Sequence, residues 1–180
     1  SGADGSRLEH VVFRGGGGAL LRRVEYKGMV CVHRARDVVF ERCAFSGNRR
    51  CDDGINVVHG DVDLVACHFF DANADSVDYD MSTGTIRDCL VERSGNDGFD
   101  LMASAPLIAG NRIVDSGDKG ISVGEDAHPV ILDNEISGCD IGIEVKDRSA
   151  PLVLHCEITD HRIGVLARAK NWRYGGGGRP

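Results

Sequence analysis

Six aspartates recur at spacings that place carboxyl groups side by side. Asp53, Asp75 and Asp97 stand 22 residues apart, each just before a small residue; Asp78 and Asp100 stand 22 apart a little further on, with Asp80 beside Asp78. Two bare carboxylates about 5 Å apart repel by roughly 3 kcal/mol at an effective dielectric near 20. Such a stack needs a lysine, a shared proton or a divalent cation to offset it. Lys119 continues the first column, and Ser122, Glu144 and Lys146 continue the others. Three readings compete. Asp78 and Asp100, with Lys119 or Lys146 as base, suit acid/base catalysis. Asp75, Asp78, Asp80, Asp97 and Asp100 are hard oxygen donors of the kind calcium takes. Asn56, Glu125, Glu144 and Trp172 are then candidates for holding a substrate. A plainer reading covers Asp53, Asp75 and Asp97, because Asp before a small turn residue bonds nearby backbone amides. It does not cover Asp78, Asp80 and Asp100, which lie mid-strand.

These spacings recur because the stretch from Cys51 to Arg168 is one short unit repeated. Gly54, Ser76, Gly98, Gly120, Gly142 and Gly164 advance in steps of 22 residues, and a fixed period of this size marks a solenoid. The next residue is apolar each time (Ile55, Val77, Phe99, Ile121, Ile143, Val165), and so is the one two further on (Val57, Tyr79, Leu101, Val123, Val145, Ala167). That alternation predicts a short strand with one face buried. It turns Asn56, Asp78, Asp100, Ser122 and Glu144 outward in a row, one per turn, about 4.8 Å apart. A second strand is predicted over Phe40-Cys43-Phe45, Leu64-Cys67-Phe69, Ile86-Cys89-Val91, Ile108-Asn111-Ile113, Ile131-Asn134-Ile136 and Val153-Cys156-Ile158. Carboxyls on adjacent turns then lie near 5 Å and those two turns apart near 9–10 Å, close to the separations of retaining and inverting glycosidases.

The pattern resembles the right-handed parallel β-helix repeat of pectate lyases, polygalacturonases and many bacterial surface proteins. That family stacks an asparagine ladder inside a turn, and Asn111 and Asn134, with Cys43, Cys67, Cys89 and Cys156, resemble it. The resemblance spans roughly residues 8 to 172. It implies an all-β fold, a single-stranded right-handed parallel β-helix of about seven turns, and it says little of function, since one scaffold hosts many. The strings at 117–125, 146–149 and 170–178 are similar to β-helix modules found beside spore-coat-kinase-like or lamin-tail-like domains in large bacterial surface proteins. This implies an extracellular or cell-surface setting and neighbouring domains, without naming a reaction. Asn96-Asp97-Gly98-Phe99-Asp100 and the Gly117–Gly124 and Ile143–Lys146 stretches faintly resemble polygalacturonase motifs. Lys119 stands where that family has His and Glu144 where it has Arg, so its activity is not carried over.

The chain of 180 residues has a net charge of −7 and only four prolines. An acidic balance argues against nucleic acid as partner, and no apolar run is long enough to span a membrane. Residues 1–7 are expected to be disordered, 8–174 to form the β-helix and 175–180 to be a glycine-rich linker. Leu8 to Tyr26 reads as an incomplete first turn, with Gly15 to Gly18 a flexible turn and no phosphate-binding loop, since no Gly-Lys-Ser/Thr follows. Gly28 precedes Gly54 by 26 residues, which places a small insertion at Arg49-Arg50-Cys51. His33 and His59 then fall at equivalent positions of successive turns. The ladder cysteines read as small buried thiols, and no cysteine pair has zinc spacing. Trp172 caps the last turn or offers a sugar-stacking platform. The regular period leaves a flat surface without cleft loops.

The expected function is a carbohydrate-facing module of a bacterial surface or secreted protein. It binds a polysaccharide on the acidic row, or acts on it as hydrolase, lyase or epimerase, with calcium as the one cofactor considered. The alternative is a structural spacer or adhesion module without a small ligand.

Overall fold

Each repeat offers three short runs of alternating apolar residues, and these bury their faces only by closing around one another. In the computed structural model, which describes residues 2–180, they do so as three parallel sheets of seven strands each. The first sheet stacks strands from Arg7–Glu9 to Leu152–Leu154, the second from Val12–Arg14 to Glu157–Thr159, and the third from Gly28–His33 to Ile163–Arg168. Among the described residues this makes six complete turns between two partial ones. Ile55, Leu64, Ile86, Ile108, Ile113, Ile121 and Ile131 fill the core with no exposed surface. Phe13, Phe45 and Phe69 stack along one edge of it, with centroids 4.9 and 4.5 Å apart.

The single strand expected over each Phe40-Cys43-Phe45 unit is in fact two. Val38–Glu41 belongs to the first sheet and Ala44–Ser46 to the second, and the chain bends between them. The bend residue is left-handed at every turn: Arg42, Ala66, Asp88, Gly110, Asp133 and His155, with φ of 51°, 51°, 55°, 65°, 53° and 51°. Only one is glycine, so the corner carries no turn signature. The left-handed backbone costs roughly 1–2 kcal/mol per residue, and the ladder beside it offsets that strain. Asn134 Nδ2 donates to Ile108 O and Asn111 Nδ2 to Ile86 O, while Asn111 N–H and Cys89 N–H donate to the Oδ1 of Asn134 and Asn111. The cysteines do more than pack. Cys43, Cys67, Cys89 and Cys156 donate their thiols to Leu8, Phe40, Leu64 and Ile131 carbonyls, and Cys89 Sγ accepts Cys67 N–H, so a thiol fills both of asparagine's roles. A second ladder of serines lines another corner, where Ser82 and Ser104 hydroxyls accept Gly60 and Ser82 N–H.

The N-terminal region departs from the simple repeat. Residues 15–18 lead into an antiparallel hairpin, Ala19–Leu21 with Val24–Tyr26, whose turn residues Arg22 and Arg23 are both left-handed. The hairpin stands against the third sheet, with Tyr26 stacked on His33 at 4.7 Å. The register there is Gly28 to Asp53 and Val30 to Ile55, an offset of 25. Gly28 is therefore not the counterpart of Gly54, and His33 sits opposite Val58 rather than His59. The glycine tail, expected as a linker, is hydrogen-bonded along the last turn, from Arg148 N–H to Gly177 O, Gly178 N–H to Arg168 O and Arg179 N–H to Ser149 O. At the other end the expected disorder of residues 1–7 meets Gly5 N–H bonded to Arg36 O; Ser1 lies outside the described residues.

Candidate functional site

The outer face of the third sheet carries the acids because its register is unbroken. Asn56, Asp78, Asp100, Ser122 and Glu144 are successive Cα partners, as are Val58, Asp80, Met102 and Gly124. Asp53, Asp75, Asp97 and Lys119 stand in a parallel row. The row bonds backbone amides, as the plainer reading held, but those of the next turn: Asp75 Oδ1 accepts Asp97 N–H and Asn96 Nδ2, both at 2.8 Å, and Asp97 Oδ1 accepts Lys119 N–H at 3.2 Å. Asp53 breaks the pattern. Only 2% exposed, it leaves Oδ2 without a hydrogen-bond donor.

A groove of about 390 Å³ runs over this face, lined by Asp53, Asp75, Asp78, Asp80, Asp100 and Glu125, with Lys27 from the hairpin side and Lys146 and Lys170 from the other. A second hollow of about 590 Å³ adjoins it through Lys27 and Asp80, walled by Glu25, Tyr26, His33 and Arg34 and floored by Asn56. The expected flat surface is thus a bounded one, because the hairpin forms a wall. Lys27, Lys170 and the hairpin were not assigned in the sequence. The one signal for them was the Val24-Glu25-Tyr26 alternation, since arginines occupy the turn where glycine or asparagine marks a hairpin.

A groove this acidic cannot hold all its carboxyls ionised. Burial, then Asp80 and Asp53, push Asp78 up to about 9. Asn56 Nδ2 donates to its Oδ2 at 2.8 Å. Burial, then Asp75 and Asp52, push Asp53 up to about 7, and burial with Asp75 does the same to Asp97 against the pull of Lys119. Burial also raises Asp80, opposed by Lys27, and Glu125, opposed by Lys146. For Lys27, burial works downward, but Asp78, Asp80 and Asp53 outweigh it and raise it. Around neutral pH, burial and the surrounding acids therefore favour the protonated form of Asp78.

The remaining candidates form a different cluster. Lys119, 6% exposed, bonds Asp97 Oδ1 at 3.2 Å and Asp118, and lies 4.0 Å from Glu144. Burial pulls its ammonium down, but Asp118 and Asp97 outweigh it and keep it charged. Glu144 has no exposed surface; Arg168 Nε reaches its Oε1 at 2.6 Å and Lys146 Nζ stands 3.7 Å from Oε2. Lys146 bridges the two regions. Its stem lies across Gly124, where a Cβ would meet its Cε at 2.4 Å, and its Nζ donates to Ser122 Oγ at 2.8 Å. Trp172 is 86% exposed and lines neither hollow.

A family model describing a right handed beta helix region matches residues 53–172, two-thirds of the chain. The chain belongs to the right-handed β-helix family. A comparison with curated proteins finds no match. In this β-helix the match begins at Asp53 and leaves the hairpin outside it. The groove is therefore built from both family repeat and N-terminal addition. Its oxygens are the hard donors calcium takes, yet among the described residues no three His, Cys, Asp or Glu side chains converge to hold an ion.

Proposed function

We propose that this β-helix is a carbohydrate-facing module of a bacterial surface or secreted protein, holding a polysaccharide along the groove and acting on it through Asp78 and Asp100. The observation that carries the reading is the register pairing of Asp78 with Asp100 on neighbouring strands of an open groove, with burial and the Asp80 and Asp53 carboxyls pushing Asp78 up to about 9. Neighbouring strands lie about 4.8 Å apart, near the 5–5.5 Å at which paired carboxyls serve retaining glycosidases. Asp78 is the proton donor to a leaving oxygen. Asp100 takes the place of base or nucleophile. Asn56, Glu125 and Lys146 contact hydroxyl or carboxylate groups of the chain, and Lys27 and Lys170 attract uronate residues that the acids alone would repel. Glu144 contributes by holding Lys146. Calcium bound among the same carboxylates is a variant of this reading, and it replaces the proton as the offsetting charge.

The test is binding and product formation against neutral and uronate oligosaccharides, for the wild type, Asp78→Asn and Asp100→Asn. Binding that survives both substitutions while product formation is lost supports catalysis. A calcium-dependent rise in melting temperature, abolished by Asp100→Asn, supports the cation variant. No binding to any glycan returns the groove to the spacer reading, which the internally paired Lys119–Glu144–Arg168 cluster favours for that half of the face.

A further inference from the structure

The groove holds more negative charge than its own lysines meet. Seven acids line it against three lysines. The charges are also ordered along the axis. Lys27 stands at one end, beside the strand Gly28–His33, and Lys146 and Lys170 reach in at the other from the last two turns. Asp53, Asp75, Asp78 and Asp100 lie between them on three successive turns. Lys27 and Lys170 are exposed, while Lys146 is held by Ser122 and Glu144. From the hairpin to the last turn the groove therefore reads positive, negative, positive.

The negative centre consists of two rows with different needs. Asp78 and Asp100 form the pair proposed for chemistry. Asp53 and Asp75 form the row beside it, where Asp52, Ala74 and Asn96 complete the lining. Asp75 Oδ1 draws only on uncharged amides, Asn96 Nδ2 and Asp97 N–H. Asp53, 2% exposed, has no donor at Oδ2, and a buried acceptor left without a donor is costly. Further along, the same row shows what satisfies it. Lys119 Nζ meets Asp97 Oδ1 at 3.2 Å and also bonds Asp118. Among the described residues the ion pairs of this row stop at Asp97. Burial and neighbouring acids raise both Asp53 and Asp75, as expected where positive charge is lacking.

We propose that the glycan in this groove carries a free amino group, and that its ammonium does for Asp53 and Asp75 what Lys119 does for Asp97. This rests on the carbohydrate reading above and narrows it to a zwitterionic chain, in which an unacetylated amino sugar is flanked by acidic sugars that meet Lys27 and Lys170. Charge order selects among chains. An all-acidic glycan sets carboxylates against the aspartates, and an all-cationic one sets ammonium groups against the lysines at both ends. Acetylation removes the amine's charge and two of its three donors, so the groove discriminates against it. An ammonium also suits this lining better than calcium does. It donates to oxygens placed apart, whereas calcium gathers about six to eight around one point, and among the described residues no three His, Cys, Asp or Glu side chains converge. Burial, the first cause of the raised proton affinity of Asp78, is left in place, so the neighbouring pair keeps its acid.

Calorimetric titration with a matched pair of probes tests the proposal: an alternating glucuronate–glucosamine oligosaccharide with free amines, and the same oligosaccharide N-acetylated. The wild type should bind the free-amine form at least about tenfold more tightly, the worth of one hydrogen bond to a charged group. Asp53→Asn and Asp75→Asn should each bring the two affinities to within about threefold of one another. Lys27→Gln should weaken both forms alike and leave the preference intact, and a thermal melt confirms that each variant folds. Equal binding of the two forms by the wild type, or tighter binding of the acetylated one, would overturn the proposal and leave a glycan-binding groove standing. Binding of neither form would remove the proposal and the carbohydrate reading together. A preference that survives in folded Asp53→Asn and Asp75→Asn would place the ammonium elsewhere and overturn the assignment. The wild-type comparison decides the point even where a variant fails to fold.

Discussion

The two halves of the third sheet's outer face share one backbone, one register and one period, and they handle charge in opposite ways. Toward the N-terminus, Asp53, Asp75, Asp78, Asp80 and Asp100 meet few cations, and burial pushes protons onto Asp78 and Asp53. Toward the C-terminus, Lys119, Lys146 and Arg168 converge on Glu144, and Lys119 also meets Asp97 and Asp118, so each acid there faces a cation, with little exposed surface on Lys119, Glu144 and Lys146. The fold therefore does not require the acids, since the same columns are stable with mixed charges. The second half pairs its charges internally, with Lys146 at its border with the groove. The first leaves its carboxyls unbalanced over an open groove, the kind of setting in which shifted acids serve as candidates for a functional site.

The largest expected effect lies in the compensated half. Glu144→Ala leaves Lys119, Lys146 and Arg168 without their shared partner, and breaking a buried ion cluster costs about 3–5 kcal/mol. Urea unfolding measures it, and a loss below about 1 kcal/mol would mean that the cluster is not balanced as described.

The open half should answer in the reverse sense. Asp78 and Asp53 hold protons more tightly folded than unfolded, so their contribution is complete below the ordinary carboxylate range and is lost as pH rises through about 7 and about 9. Asp78→Asn removes the larger part of that loss. The variant should match the wild type near pH 4 and exceed it by about 1–3 kcal/mol at pH 9. Unfolding curves across that range decide the point, and an equal pH slope for both proteins would show that Asp78 is ionised without cost.

The smallest effect belongs to the residue between the halves. Gly124→Ala should change stability by no more than about 1 kcal/mol, since alanine restrains the unfolded chain while the end of Lys146 moves aside. Lys146 should then lose Ser122 and become reactive to an amine reagent that leaves it untouched in the wild type. Unchanged labelling would show that the stem has another path.

Particular residues show where the sequence was legible. The 22-residue step, the apolar pairs such as Ile55 with Val57, and the outward row Asn56, Asp78 and Asp100 needed no coordinates, because strand alternation and stacking follow from local geometry. Asp75, Asp78, Asp80, Asp100, Glu125 and Lys146 do share one groove. Arg42 and its counterparts hid the corners, since a left-handed arginine looks like any other arginine. The first turn's longer step hid the pairing of His33 with Val58.

By itself, then, the sequence determined the period, the parallel sheets, the ladder positions and which side chains face outward, all of which are set by residue type at fixed spacing. Only the tertiary structure decided which outward charges meet a partner, where the hairpin stands, and which carboxyls hold a proton. Those depend on distances between turns and on how much water each group keeps, and neither quantity is written in the order of residues along one strand.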